Sequence, residues 1–440
     1  MFLLGTQSIG PNGHLVIGGC DAVELAGEYG TPLYVMDEEA IRARMRDYVQ
    51  SFNALHPTTV AYAGKAFLTT AMAKIVEQEG LSLDVASGGE LHTALTAGFP
   101  AERIVFHGNN KSDAELEMGL AANVGRIVLD NFHEMERLAN LAASRGVVAR
   151  VMIRCTPGID PHTHRLIRTG QEDTKFGFSI KDGAALAAAR RIAELPSLKF
   201  IGVHCHLGSN LMDSNSHVEA LDVMVRFVAE VQRDLGISIE HLDLGGGLGV
   251  RYLPEHNPMR VADFAAKVVG ALVEALDKYG AGRPRLELEP GRSIVAEAGT
   301  TLYTVGAVKE VNIPETPGKR LYVDIDGGLS DNPRPQLYEA RYHAFLANRA
   351  NAPADTTVTI AGKHCETDIL IWNVAIPSPQ PGDILAVPST GAYNYAMASN
   401  YNRLPRPAVA LVKDGHADLI VRRESLDDLV RNDVLPDRLK

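Results

Sequence analysis

A short β-rich run followed by an amphipathic stretch recurs eight times between residues 58 and 292. The runs are Thr58–Tyr62, Ser82–Ala86, Arg103–His107, Arg126–Asp130, Val148–Arg154, Lys199–His206, Ile239–Leu244 and Arg285–Glu289. Most are rich in Val, Ile and Leu and alternate little, the pattern of strands buried on both faces. Helical periodicity lies between them, at Ala66–Glu79, Gly89–Ala97, Asp113–Ala121 and Val261–Lys278. Eight such units in roughly 250 residues predict a closed (β/α)8 TIM barrel, with an open doubly wound sheet as the competing layout. The placement of unusual residues favours closure. Lys65 follows the first run, Asp84 and Ser87 end the second, His107-Gly108-Asn109 the third and Asp130-Asn131 the fourth. Arg154, His206–Ser209, Gly245–Gly247 and Glu289–Arg292 end the other four. A closed barrel gathers all these ends on one face, where barrel enzymes carry their chemistry.

The remaining sequence has a different texture. After Arg292 come strand-like runs at Thr301–Val308, Leu321–Ile325, Thr356–Ile360, Ile384–Val387 and Ala408–Val412, punctuated by Gly, Pro and Asn. They predict a β-sandwich or β-barrel-like second domain. The first 36 residues also read as strand-like and are expected to join it, so the domains run 37–292 for the barrel and 1–36 with 293–440 for the β domain. A helix over Asp37–Phe52 leads into the barrel. The net charge of −11 argues against nucleic-acid or anionic-membrane partners. Cys20, Cys155, Cys205 and Cys365 form no C-x-x-C pair. No basic leader opens the chain and no apolar run approaches ~18 residues, so a cytoplasmic protein is expected.

Four segments carry chemistry. Lys65, in Tyr62-Ala63-Gly64-Lys65-Ala66, reads in isolation as a solvated loop lysine. At a barrel mouth a partly desolvated lysine loses its proton more easily and attacks a carbonyl. Gly245-Gly246-Gly247 lets backbone N–H groups close around a phosphate, although Val250 breaks the dinucleotide pattern. Glu289-Pro290-Gly291-Arg292 is either a turn with a local ion pair or a carboxylate for a cofactor ring nitrogen beside an anion-gripping Arg292. His204-Cys205-His206 offers a metal pair or, at His206, a ring to stack on a flat cofactor, with Ser209 placed for a phosphate. No metal is expected. Cys365, flanked by charged residues, reads as a partly exposed, reactive thiol rather than a core residue.

Taken in order, the motifs resemble those of the barrel-type, fold-type III decarboxylases dependent on pyridoxal 5'-phosphate (PLP). Within them the chain is similar to the diaminopimelate decarboxylases. The resemblance rests on Tyr62–Ala66, Asp84–Leu91, His162-Thr163-His164, Thr169-Gly170, Lys175-Phe176-Gly177, His204–Ser209, Asp243–Gly247 and Glu289–Arg292. It continues through Asp331–Pro335, Leu337-Tyr338, Cys365-Glu366, Gly391–Tyr393 and Ala398–Asn402, and so spans nearly the whole chain. It implies that Lys65 carries PLP covalently, that His206 stacks on its ring, and that Ser209, Gly245, Gly246, Gly247 and Glu289, Pro290, Gly291 and Arg292 hold phosphate and ring nitrogen. It further implies Arg292, Arg334, Tyr338 and Glu366 at the far end of the substrate, Tyr393 at both cofactor and substrate, and Cys365 as the acid that protonates the decarboxylated carbon. Cys365 and Glu366 are implied to serve the active site of a partner subunit, hence a homodimer. Two stretches depart from the family pattern: Thr367-Asp368 stands where Ser-Gly-Asp is common, and Gly327-Gly328-Leu329-Ser330 where Gly-Met-Asn is.

The expected reaction is decarboxylation of meso-2,6-diaminopimelate to L-lysine, the last step of lysine biosynthesis. A second amino-acid head needs an anion for its ammonium and a cation for its carboxylate, which Glu366 and the pair Arg292 and Arg334 supply. The alternatives are a decarboxylase of the same fold acting on ornithine, arginine or a carboxylated polyamine, a metal-dependent barrel hydrolase using His204 and His206, and a non-catalytic binding relative.

Overall fold

The computed structural model of the chain describes residues 2–159 and 174–440. The chain divides into two compact units. One comprises Arg42–Val250 and Asn257–Ile294, the other Met1–Ile41, Arg251–His256 and Val295–Lys440.

The first unit is a closed barrel of eight parallel strands. They are β1 (Thr58–Ala63), β2 (Ser82–Val85), β3 (Ile104–Phe106), β4 (Arg126–Leu129), β5 (Ala149–Thr156), β6 (Leu198–His204), β7 (His241–Asp243) and β8 (Arg285–Leu288). Each pairs with the next, and β8 returns to β1 with Leu286 opposite Thr58 and Leu288 opposite Val60. Ala61, Val105, Val128, Met152 and Ile201, from five different strands, form one buried cluster. Such apolar burial contributes about 1.5–3 kcal/mol per large side chain. The helices that follow the strands start on side-chain caps: Thr69 accepts from the amide of Met72, Ser87 from that of Glu90, and Asn131 from that of Glu134. Ser112 and Glu115 form a reciprocal capping box. These caps fix where each strand stops and its helix begins, and so where the strand-end side chains point.

In the second unit, the long strand Gly299–Asn312 pairs antiparallel with Lys319–Ile325, Ile384–Pro388 and Leu33–Asp37. Leu33–Asp37 in turn lies parallel to Ala408–Lys413, so both ends of the chain enter one mixed sheet. Residues 1–36 are not purely strand-like. Ala22–Tyr29 is a helix capped by Asp21, whose carboxylate accepts from the amides of Val23 and Glu24. Leu15, Ile17, Leu33, Val35, Leu302, Ala386 and Ala410 share the core of this unit. Among the described residues no helix is long and apolar enough to cross a membrane.

Candidate active site

Strand β1 ends at Ala63, and Gly64–Ala66 makes a single 3-10 turn that leaves Lys65 exposed. A Cβ on Gly64 would stand 3.0 Å from the carbonyl oxygen of Asp84, so glycine lets this turn lie against the end of β2. The Lys65 ammonium acts electrostatically on Asp84, Glu90 and His206. Asp84 is buried, and burial pushes its carboxyl up to about 6; the Glu289 charge adds to this, while His107 and Lys65 oppose it.

Glu289 lies one residue past β8. Its Oε1 is 2.5 Å from Nε2 of His107, and its Oε2 is 3.1 Å from Nε2 of His204. Burial alone would raise this carboxyl, but the two histidines outweigh burial and hold it well below the usual carboxylate range. Burial pushes His204 down to about 4, so its ring is neutral at physiological pH. Burial, with Lys65 and Arg154 adding repulsion, likewise keeps His206 neutral. The loop after β3 holds His107 in place. In it Lys111 donates to the carbonyls of Gly108 (2.7 Å) and Val128 (2.9 Å) and pairs with buried Glu134 at 2.6 Å. Arg154, near the end of β5, lies over the ring of Phe176 at 4.1 Å.

The glycine run follows β7 directly. The amide of Gly245 donates to Asp243 Oδ1 at 2.7 Å, and Gly245 and Gly247 adopt φ of 67° and 133°. A Cβ on Gly246 would stand 2.4 Å from the backbone oxygen of Glu289. The loop thus lies against the Glu289–Arg292 segment, and only glycine permits the approach. Arg292 donates through Nε to Ser209 Oγ at 2.9 Å, which brings two of the expected phosphate-holding residues into contact. This barrel end fits PLP chemically: an exposed lysine, a neutral imidazole, an anionic buried carboxylate and an Arg–Ser pair beside a glycine loop.

On the second unit, Arg334 begins the short helix Arg334–Tyr338 and is only 5% exposed. Its guanidinium lies over the rings of Tyr338 (5.1 Å) and Tyr393 (5.7 Å), and its Nε has no hydrogen-bond partner among the described residues. Tyr393 has φ of 60°, an uncommon conformation for an aromatic residue and one that concentrates at ligand sites. Cys365 is exposed, whereas Cys20, Cys155 and Cys205 are buried. Its loop is tied at several points. The Gly362 amide donates to the Asp368 carbonyl (2.7 Å), His364 Nδ1 lies 2.5 Å from Asp368 Oδ2, and the Cys365 amide donates to Asn402 Oδ1 (3.0 Å). Glu366 Oε1 accepts from the hydroxyl of Tyr401 at 2.7 Å. Asp368, in the shortened Thr367-Asp368 stretch, therefore still closes the loop, and its Oδ1 also receives the amide of Leu329 from the other departing segment.

Lys65, His206, Ser209, Gly245–Gly247 and Glu289–Arg292 thus lie at one end of the barrel, with Arg334, Tyr338, Tyr393, Cys365 and Glu366 on the second unit. The motif residues His162, Thr163, His164, Thr169 and Gly170 lie outside the described residues. Sequence reasoning gave His107 no role and gave His204 only a metal role. Both face Glu289, and their placement at strand ends was the available signal. His107, His204 and Glu289 present ligand-capable atoms within 4.8 Å of one another.

Residues 38–296 match the family model "Pyridoxal-dependent decarboxylase, pyridoxal binding domain", so the chain belongs to the PLP-dependent decarboxylases, enzymes of the carboxy-lyase class. The metal-dependent hydrolase and the non-catalytic relative are thereby set aside. Within that class, relatives between 42% and 48% identical to this chain are diaminopimelate decarboxylases. The diaminopimelate decarboxylase of Bacillus subtilis (strain 168) is 48% identical over 436 residues, covering 99% of this chain and 98% of that protein. The crystal structure of the M. jannaschii diaminopimelate decarboxylase in co-complex with L-lysine superposes with a TM-score of 0.92 at 36% identity, covering all of both chains. That of the Helicobacter pylori enzyme complexed with L-lysine gives 0.84 at 31%, covering 93% of this chain and 98% of that one. This chain is a member of the diaminopimelate decarboxylase family.

Proposed function

We propose that this chain decarboxylates meso-2,6-diaminopimelate to L-lysine and CO2, the last step of lysine biosynthesis, with PLP bound at the barrel end. When bound, PLP supplies an electron sink for the pair left behind by departing CO2. The chain's own residues do the rest. Lys65 would hold the cofactor through its side-chain amine. Glu289, kept anionic among His107 and His204, would hold the proton at the cofactor's ring nitrogen. His206, a neutral ring, would stack on the cofactor's ring. Ser209, Gly245–Gly247, Pro290, Gly291 and Arg292 would hold the cofactor's phosphate. Cys365 delivers one proton to Cα in place of the lost carboxylate, which balances the reaction.

The observation that carries the substrate assignment is Arg334. A buried guanidinium surrounded by tyrosine rings, with an unpartnered Nε, calls for an anion. Diaminopimelate brings that anion as its distal carboxylate; ornithine and lysine have none. Glu366 then takes the distal ammonium, with Arg292, Tyr338 and Tyr393 completing the contacts. L-lysine, the proposed product, is the ligand in the two related crystal structures.

The test is an assay of lysine and CO2 from meso-diaminopimelate with PLP, beside ornithine and arginine. Lysine from the first substrate alone is expected. Arg334→Ala should lower kcat/KM for diaminopimelate by about 100-fold. Turnover of ornithine or arginine, or an unaltered Arg334→Ala, would overturn the assignment. We place the enzyme in the cytoplasm as a homodimer, the state in which the family resemblance has Cys365 and Glu366 serve the partner's Lys65.

A further inference from the structure

Glu289 is the hub of the barrel end. Its two oxygens are taken by two histidines that arrive from different strands, His107 directly after β3 and His204 as the last residue of β6. All three side chains are buried, and the imidazole centroids stand 4.7 Å apart. Each histidine meets the carboxylate through Nε2. A neutral imidazole carries one N–H, and a nitrogen facing an anionic oxygen must be the one that bears it. With one donor on each oxygen, rotation of the carboxylate breaks a bond, yet each oxygen keeps lone pairs for a further donor.

We propose that His107 and His204 are positioning residues for the reaction, paired Nε2–H donors that orient Glu289 and weaken its basicity at the cofactor's ring nitrogen. This rests on the reading that Glu289 faces that nitrogen. A carboxylate that accepts two buried hydrogen bonds is a poorer base, so a proton shared with the ring stays on the ring. Burial pushes His204 down to about 4, so it acts as a neutral donor rather than a titrating cation. Asp84, whose Oδ1 lies 3.9 Å from His107 Nε2, is the neighbouring carboxylate, and burial raises its carboxyl to about 6.

The experiment compares His204→Met, which fills the space without a donor, with His204→Gln, whose amide places an N–H near the lost Nε2. His107→Met and His107→Gln provide a second pair should the His204→Met protein fail to fold, and Glu289→Gln is the reference. Far-UV circular dichroism checks folding. The readouts are the Kd for pyridoxal 5'-phosphate added to cofactor-free protein and the visible absorption band of the bound cofactor. The Met variants should bind at least about tenfold more weakly, with a shifted band, and the Gln variants should stay within about threefold of wild type. Equal impairment in Met and Gln variants would mean that the rings act only by packing, and would overturn the proposal. So would Met variants indistinguishable from wild type beside an impaired Glu289→Gln, although the role of Glu289 would stand. A Glu289→Gln protein with unchanged affinity and band would instead overturn the reading of Glu289 itself.

Discussion

At the scale of single residues, the proposed roles separate by what each removal leaves intact. Lys65→Ala removes the covalent hold on the cofactor and should reduce turnover by about a thousandfold or more, with loss of cofactor-derived visible absorbance on dialysis. Cys365→Ala should leave that absorbance in place and lower kcat by about 10²- to 10⁴-fold, the range of a lost general acid. Absorbance and kcat falling together in both variants would contradict the division of labour. A stability prediction concerns Asp331, just before the buried Arg334. Burial pushes its carboxyl up from 3.8 to about 7, against hydrogen bonds from the Tyr303 hydroxyl and the Gly328 amide. A carboxyl raised in the folded state binds its proton more tightly there than when unfolded, so its contribution is full below pH 3.8 and is lost as pH rises through about 7. The Tm of the wild type minus that of Asp331→Asn should therefore fall steadily between pH 4 and 7. A flat difference across that window would show that Asp331 does not titrate as described.

At the scale of elements, the barrel was legible because its strands, covered on both faces, consist of apolar runs, and strand-end chemistry stands out against them. Strand limits were less so. His206 and Glu289 read as strand residues, yet β6 stops at His204 and β8 at Leu288. Beyond those limits the chain is held by isolated backbone bonds, Cys205 N–H to Asp243 O and Glu289 N–H to Gly245 O, between residues far apart in sequence. The helix Ala22–Tyr29 escaped notice because it spans only eight residues and contains Gly27. The contacts of Glu289 with His204 and His107 span 85 and 182 residues, and no local pattern encodes such pairs. The glycine run was legible as a motif, but its physical reason is packing as much as phosphate. Gly246→Ala would force a methyl to within 2.4 Å of the Glu289 carbonyl oxygen, a backbone atom that cannot swing aside. The variant should bind PLP at least about tenfold more weakly. Gly270→Ala is the internal control: it lies within the helix Val261–Tyr279 with nothing within 4 Å, and should stabilise the protein by about 0.5–1 kcal/mol. Comparable losses of affinity in both variants would show that the clash is not the cause.

At the scale of the whole molecule, the chain closes one sheet from its two ends, with Leu33–Asp37 lying between Gly299–Asn312 and Ala408–Lys413. The second unit, which carries Arg334, Cys365 and Glu366, is thus completed only when the last strands are available. The proposed dimer makes a numerical prediction at this scale. If Cys365 of one subunit serves Lys65 of the other, Lys65→Ala and Cys365→Ala homodimers are each inactive at every site. A mixed dimer, however, contains one site with both residues intact. Unfolding and refolding an equimolar mixture should then restore about a quarter of wild-type activity, because half the dimers are mixed and half of their sites are whole. Each variant refolded alone provides the baseline, and size-exclusion chromatography at assay concentration establishes that dimers are present. Restoration near a quarter would support the shared arrangement. Activity that stays at the baseline in a dimeric mixture would mean that each chain supplies Lys65 and Cys365 to the same reaction by itself, and would remove the partner from the proposed chemistry while leaving the roles of both residues in place.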